Sequence, residues 1–248
     1  SKALGIPLAK AAARIMAGES IGDLIGAGLL PAMDGAIVPM DSPVAVKEAV
    51  LPFKRFRTRE GRIVDSVLGP EMRSTGEVMG IDANFPRAFA KSQAAAYGGI
   101  PSSGTVFVSV ADRDKRAIVM PVMRLQQLGF DVLATEGTAA VLKRNGIDTT
   151  LVRKVSQRDG ISDEPTVVDL ISDDTIDIVI NTPSGRSARA DGYEIRTATV
   201  AADKALFTTI AQLGAAVSSI EATRDGFDVT SLQEYDLARA ERLARVQG

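Results

Sequence analysis

The chain has 248 residues, of which 45% are hydrophobic and 24% charged, so it can fold into one large or two ordinary domains. Its formal net charge of −2 argues against nucleic acid or a membrane surface as a partner. Neither cysteine nor histidine occurs, which excludes disulfides, thiolate zinc sites, cysteine nucleophiles, histidine metal ligands and serine–histidine–aspartate triads. Because no apolar run approaches the ~18 residues of a membrane span and no secretory signal pattern opens the chain, we expect a cytoplasmic protein.

The first hundred residues predict three helices and a strand. Residues 7–18 have Pro in the first turn, an alanine-rich interior and a closing Gly, which is the pattern of a helix. A second helix is expected to begin at Ser20, with Asp23 in the capping-box position. The apolar stretch 44–53 is typical of a strand, and the stretch 85–97 is typical of a helix.

Two connections in this part have unusual compositions. A loop around Gly61 is rich in basic residues, for which a solvated turn is favoured over a phosphate contact; they are Lys54, Arg55, Arg57, Arg59 and Arg62. The stretch 68–80, LGPEMRSTGEVMG, combines turn residues with an acid, a base and two hydroxyls, which is uncommon for a plain connection. Gly, Pro and Ser dominate residues 98–104, where we place a domain boundary.

The next stretch, 105–138, reads as a strand, a helix and a second strand. The apolar runs 106–110 and 130–134 are strands, and the helix between them ends at Gly129. A helix between two such strands implies a right-handed parallel crossover. Pro121 lies within the helical pattern, so we expect a kink there.

The rest of the chain predicts further alternation of strands and helices. Strands are expected at 150–155 and 176–180, and a helix capped by Asp163 at 163–172. Residues 201–222 read as mostly helical. The tail is expected to be a charged helix beginning at Ser231, with Glu234 completing a capping box.

Parallel strands present their carboxyl ends at one edge of a sheet, and polar residues follow several of these strands. The sequence Thr135, Glu136, Gly137, Thr138 also opens a helix, where N–H groups and the helix dipole favour anions. We therefore expect one crevice suited to a phosphorylated metabolite, lined by Ser109, Thr135, Gly137, Thr138, Lys154, Asn181, Thr182, Ser184 and Arg186. The same residue types also serve in many α/β domains merely as caps and turns.

Six stretches together resemble a known family. They are VAVKEAVLPF, LGPEMRSTGEVMG, FVSVADRDK, ATEGTA, VRKV and INTPSGR. In this combination they look like the C-terminal part of the large subunit of carbamoyl-phosphate synthase. The resemblance covers nearly the whole chain and implies an α/β fold: a C-terminal parallel-sheet domain like methylglyoxal synthase (Rossmann-like), preceded by the tail of an ATP-grasp α+β domain.

The resemblance implies that the chain consists of three segments with different roles. Residues 1–101 would be the C-terminal part of the second ATP-grasp unit, residues 102–226 the allosteric domain and residues 227–248 a helical tail. The motif that holds ATP and Mg or Mn in the family would lie upstream, so we expect no cofactor in this segment and no activity of the fragment alone. The parent enzyme would make carbamoyl phosphate from bicarbonate, glutamine-derived ammonia and ATP, with a small glutaminase subunit, for pyrimidine and arginine synthesis. We also expect a homo-oligomer.

The family's regulatory domain binds UMP as an inhibitor and IMP as an activator in bacterial forms. Two departures from the pattern are Glu136, where a neutral or basic residue is common, and Pro183, which replaces a hydroxyl residue. Matching motif by motif implies that the effector nucleotide is bound by Ser109, Lys115, Thr135, Gly137, Thr138, Lys154, Asn181, Thr182, Ser184 and Asp191.

A second effector site is implied less completely. Glu48 and Thr208 match positions that ornithine-activated members use. Leu206, however, stands where such members place a tyrosine, which argues against ornithine activation.

Two other functions compete with this interpretation. One is a free-standing methylglyoxal synthase, a lyase that the absence of histidine and the extra hundred residues oppose. The other is a structural oligomerisation domain whose crevice binds nothing. A dinucleotide-binding Rossmann domain is disfavoured because no GxGxxG follows a strand.

Overall fold

The computed structural model describes residues 1–32, 42–154, 156, 164–182, 189–226 and 228–247. The first part of the chain forms two short helices, an antiparallel pair of strands and a third helix. In chain order these are α1 (Leu8–Met16), α2 (Ile21–Gly26), β1 (Val44–Val50), β2 (Gly76–Asp82) and α3 (Phe85–Tyr97). The three predicted helices and the first predicted strand are confirmed.

Local capping explains where two of these helices begin. The Ser20 side chain accepts a hydrogen bond from the Asp23 N–H, and the Asp23 carboxylate accepts from the Ser20 N–H, so the predicted capping box of α2 is formed. The Asn84 side chain accepts a hydrogen bond from the Arg87 N–H at the start of α3. Helix α3 ends at Gly98, whose φ of 86° is left-handed.

Strand β2 was not predicted, because its glycines and the hydroxyl residues before it read as a connection. Gly80 lies where β2 meets α3, and a Cβ atom added to it would be 2.0 Å from the Ala88 carbonyl oxygen. Position 80 requires glycine because the backbones of β2 and α3 are in contact there. A hydrophobic pattern in the sequence cannot reveal such a contact.

The second part of the chain forms an all-parallel sheet of five strands in the order β5-β4-β3-β6-β7. Its strands are β3 (Thr105–Ser109), β4 (Asp131–Ala134), β5 (Thr150–Leu151), β6 (Ile178–Asn181) and β7 (Ala205–Phe207). The helices of this part are α4 (Val119–Gln127), α5 (Glu136–Arg144), α6 (Val167–Ser172), α7 (Arg189–Ala201) and α8 (Ile210–Ala222), followed by the tail helix α9 (Leu232–Gln247).

Both faces of this sheet are buried. Val106 and Val108 of β3 pack into a cluster with residues of α4, α5 and α8, whereas Phe107 between them packs with residues of α6 and α7. Strand β6 shows the same alternation, because Ile178 and Ile180 pack into the first cluster and Val179 packs into the second. Side chains alternate across a strand, so helices on both faces cover an entirely apolar central strand. The predicted α/β fold with a parallel sheet is confirmed.

Four predicted details are corrected. Pro121 does not kink a helix, because α4 begins at Val119 and the proline lies in the first turn, where no N–H is needed. The helix predicted at 163–172 begins at Val167, capped by Thr166, and Asp163 lies outside the described residues. The stretch 201–222 contains the strand β7 as well as α8, and the predicted strand at 150–155 is paired only over Thr150–Leu151.

The two parts of the chain share an interface through α3. Phe89 of α3 belongs to the core cluster under the large sheet, and the Ser219 hydroxyl of α8 donates a hydrogen bond to the Pro86 carbonyl at 2.7 Å. The tail also returns to the first part, since the Tyr235 hydroxyl donates to the Ile81 carbonyl at 3.0 Å. The boundary at residue 102 remains a prediction.

Among the described residues, no helix has both the length and the apolar character needed to cross a membrane.

Replacing Gly80 by alanine should lower the free energy of unfolding by about 1 to 3 kcal/mol, because the new methyl group forces β2 and α3 apart. Urea denaturation followed by circular dichroism measures the change. The matched control is Gly76→Ala at the start of the same strand, where nothing lies within 4 Å of the added Cβ. Equal unfolding curves for the two variants would contradict the close-contact explanation.

The Asp82 carboxylate should stabilise the fold only while it is ionised. Burial opposes its charge, but a 2.8 Å contact with Lys91 Nζ, a hydrogen bond from the Ala83 N–H and the charge of Arg87 outweigh burial and lower its pKa. A carboxyl whose pKa falls on folding contributes stability at pH values above its unfolded pKa, and this is lost as the pH falls through its folded pKa.

Asp82→Asn should therefore reduce the melting temperature at pH 7, and its difference from the wild type should shrink as the pH falls below about 4. The control is Glu77→Gln, whose ion pair with Lys47 leaves both side chains more than half exposed and should matter little at any pH. Melting temperatures measured over a series of pH values test this prediction. A difference between Asp82→Asn and wild type that does not change with pH would refute it.

Candidate functional site

A crevice of about 260 Å³ opens at the carboxyl ends of β3, β4 and β6. Nine of the ten residues predicted from the sequence to contact an effector nucleotide line this crevice, and the tenth, Ser184, lies outside the described residues, as do Pro183 and Arg186. The nine are Ser109, Lys115, Thr135, Gly137, Thr138, Lys154, Asn181, Thr182 and Asp191. The structure therefore brings together side chains that come from five separate stretches of sequence.

The N-terminus of α5 forms one wall of the crevice. Thr135 is the N-cap residue, yet its side chain does not cap the helix. Its hydroxyl instead lies 3.4 Å from the Ser109 hydroxyl and 3.4 Å from the Thr138 hydroxyl, so three hydroxyls form one cluster. The first N–H groups of a helix have no partner within the helix and carry its positive end, so this wall is suited to an anion.

Lys115 reaches this helix terminus from the end of β3. Its Nζ lies 2.8 Å from the position that a Cβ on Gly137 would take, and only a glycine leaves room for the ammonium group there. An ammonium beside the positive end of a helix is electrostatically unfavourable unless an anion lies between them. In the structure the Asp112 carboxylate contacts Lys115 Nζ at 2.7 Å.

Both positively and negatively charged side chains line the crevice. The hydrogen bond from Lys115 holds the pKa of Asp112 below its usual range, and the charges of Lys115 and Lys154 lower this pKa further. Asp191, at the start of α7, accepts hydrogen bonds from the Ser156 N–H at 3.2 Å and the Ser156 hydroxyl at 2.9 Å. Among the described residues, the crevice is thus lined by two lysines and by two carboxylates that have hydrogen-bond partners.

The floor of the crevice is held by bonds between strand ends. The Thr182 hydroxyl accepts a hydrogen bond from the Ala111 N–H at 2.9 Å, and the Asn181 amide donates to the Ser109 carbonyl at 3.1 Å. Both side chains are at least nine-tenths buried. The ends of β3 and β6 are thereby fixed to each other.

Arg196 also lines the crevice and was not predicted from the sequence. It lies on α7, a helix that the sequence analysis did not recognise, and its Nη1 donates a hydrogen bond to Asn181 Oδ1 at 2.7 Å. It lies four residues after Gly192, which also lines the crevice, so the two share one side of α7, and this spacing is a local signal that could have indicated it.

The two departures noted in the sequence have different outcomes. Glu136 is exposed and does not line the crevice, so its carboxylate is not directed at a ligand there. Pro183 lies outside the described residues.

The residues predicted for an ornithine-type effector lie elsewhere. Glu48 is on β1, and its carboxylate accepts a hydrogen bond from Gln93 Nε2 of α3 at 3.0 Å. Burial raises the pKa of Glu48, and the bond from Gln93 counteracts part of that change. The Thr208 N–H donates to Gln212 Oε1 at the start of α8, and no hydrogen bond joins Glu48 to Thr208, both of which the structure describes.

Comparison with known proteins identifies similar chains and one domain. The model of the MGS-like domain matches residues 117–208. The sequence is 74% identical over 242 residues to the carbamoyl phosphate synthase large chain of Clavibacter michiganensis, and 66% identical over 243 residues to that of Beutenbergia cavernae. Each alignment covers 98% of this chain, which spans only 22% of the length of those relatives.

A solved methylglyoxal synthase from Elizabethkingia anophelis is more distant, with 19% identity and a TM-score of 0.37, over 48% of this chain and 80% of that protein. That likeness is too small to carry an argument. The chain thus contains an MGS-like domain and is similar, over almost its whole length, to the C-terminal part of carbamoyl phosphate synthase large chains.

Proposed function

We propose that the crevice binds a nucleoside monophosphate and serves as a regulatory site of a carbamoyl phosphate synthase. The observation that carries this proposal is the N-terminus of α5, which lacks a side-chain cap, is lined by three hydroxyls and has the Lys115 ammonium packed against Gly137. A phosphate dianion would satisfy the helix N–H groups, the hydroxyls and the lysines at once.

Outside the expected phosphate position, the crevice has surfaces suited to the sugar and base of a nucleotide. Ile195 and Ala111 supply apolar surface, while Asp191 and Asn181 supply polar groups within reach of a sugar. A volume of about 260 Å³ is slightly below the usual range of small-molecule sites, so the crevice suits a small ligand better than a large cofactor. UMP and IMP, the effectors that the resemblance implies, combine these features, and in the family the first inhibits and the second activates.

The role of the whole protein is also a proposal. Because the relatives are carbamoyl phosphate synthase large chains, we propose that this segment works within an enzyme that makes carbamoyl phosphate from bicarbonate, glutamine-derived ammonia and ATP. ATP with Mg or Mn would be bound by the preceding ATP-grasp part, and a small glutaminase subunit would supply ammonia. The product would enter pyrimidine and arginine synthesis in the cytoplasm, and the assembly would be a homo-oligomer.

Isothermal titration of the 248-residue chain with UMP and, separately, with IMP tests the nucleotide site. We expect saturable binding that Lys154→Ala abolishes, because this substitution removes a cation that lines the crevice. The control is Lys143→Ala, at the exposed far end of α5, which should leave binding unchanged. If a folded chain binds neither nucleotide at millimolar concentration, the crevice is better explained as part of a structural domain.

Gly137→Ala should separate ligand binding from folding. Alanine favours a helix over glycine by about 1 kcal/mol, and the added methyl group meets only the flexible end of Lys115, so stability should be unchanged or higher. Displacement of the ammonium should nevertheless weaken nucleotide binding about tenfold or more. Melting curves and titrations on the same preparation measure the stability and the nucleotide affinity, respectively. Gly214→Ala, at a helical position of α8 where nothing lies within 4 Å of the added Cβ, should not affect binding, and unaltered affinity in Gly137→Ala would contradict the role of Lys115.

A further inference from the structure

A segment from the first part of the chain packs against α7, the helix that carries Arg196. We call residues 53–67, which include the basic loop, the docking loop. It contacts α7: Arg62 forms an ion pair with Glu194, its guanidinium lies 4.8 Å from the centre of the Tyr193 ring, and the Tyr193 hydroxyl donates to the Ile63 carbonyl at 2.7 Å. At the other end of the loop, Lys54 forms a solvent-exposed ion pair with Asp203, which contributes little to docking.

One contact of the docking loop reaches the crevice itself. The Asp65 carboxylate accepts two hydrogen bonds from Arg196, at 2.7 Å from Nε and 2.5 Å from Nη2. The Arg196 side chain is 3% exposed, and that of Asp65 is 30% exposed. A guanidinium buried to this degree needs a counter-ion, so Asp65 is the residue that allows Arg196 to lie there.

Arg196 in turn fixes the orientation of Asn181. Its Nη1 donates to Asn181 Oδ1, and Asn181 Nδ2 donates one of its two hydrogens to the Ser109 carbonyl. Turning the amide over would place its NH₂ group against the guanidinium, which is repulsive. The Asn181 side chain is thus held in one orientation, with its second amide hydrogen left for the crevice.

We propose that Asp65 and Arg196 are positioning residues of the nucleotide site, so that docking of the loop on α7 and occupation of the crevice favour each other. This proposal rests on the proposed function in assuming that the ligand is a nucleotide. Thermodynamic linkage makes the effect reciprocal: if the docked loop raises affinity for the ligand, the ligand holds the loop in place by the same factor. The ion pair between Asp65 and Arg196 would thereby couple the first part of the chain to ligand binding in the crevice.

A double-mutant cycle on UMP affinity tests the route through Asn181. Asp65→Asn should weaken binding about tenfold, and Asn181→Ala should weaken it as well, but the double variant should bind no worse than Asn181→Ala alone. A merely structural role of Asp65 would instead give additive losses. The matched control is Asp203→Asn, which breaks the exposed ion pair to Lys54 on the same interface and should leave affinity unchanged.

A second readout needs no nucleotide and still works if Asp65→Asn fails to fold. Trypsin can cut the docking loop after the exposed residues Arg55, Arg57 and Arg59, and mass spectrometry identifies these cuts. In the ligand-free chain Asn181→Ala should be cut there about fivefold faster than wild type, because Arg196 loses a partner that helps to hold it against Asp65. Thr138→Ala, which lines the crevice without contacting Arg196, should be cut at the wild-type rate.

The outcomes separate the two proposals. If wild type binds UMP but Asp65→Asn binds it equally well, the positioning role is wrong and the nucleotide site stands. If wild type binds neither UMP nor IMP, the nucleotide site is wrong, and the tryptic comparison alone decides whether the crevice and the loop are coupled. Equal digestion of Asn181→Ala and wild type would overturn the coupling in either case.

Discussion

The five strands of the large sheet all run in the same direction, and this constraint determines where polar residues can be placed. Because helices cover both faces, the interior positions of β3 and β6 are apolar, and the first positions open to hydrogen-bonding side chains are the strand ends. Ser109 and Asn181 lie at such ends, and Thr135 lies one residue beyond β4. The crevice is thus a consequence of the parallel sheet, and the residue types that fill it determine its chemistry.

Those residue types bring two lysines and the positive end of a helix to one crevice in a chain that is slightly acidic overall. The N-terminus of α5, Lys115 and Lys154 converge, and the nearest carboxylate to Lys115 is that of Asp112, which is itself almost fully exposed. An exposed carboxylate is easily replaced, since its interactions are screened by water. A better-placed dianion can therefore take over the contacts of Lys115 at little cost.

Much of this could be predicted from the sequence, because the signals involved are local. The capping boxes at Ser20 and Ser231, the apolar strands and the polar strand ends each involve residues close together in sequence. The misses have non-local causes. Gly80 made β2 look like a turn, although it is glycine because α3 touches it, and β7 has only three residues. Arg196 was missed because its ion-pair partner, Asp65, is 131 residues away.

The ion pair of Arg196 and Asp65 also bears on why the two parts of the chain are joined as they are. A buried ion pair is a poor device for stability alone, since removing two charges from water costs about as much as their attraction returns, and apolar residues of similar size often serve better. The α3 interface with Phe89 already joins the two parts without charges. A buried guanidinium between Asp65 and Asn181 is therefore better explained by the orientation that it imposes on the crevice than by the stability that it adds.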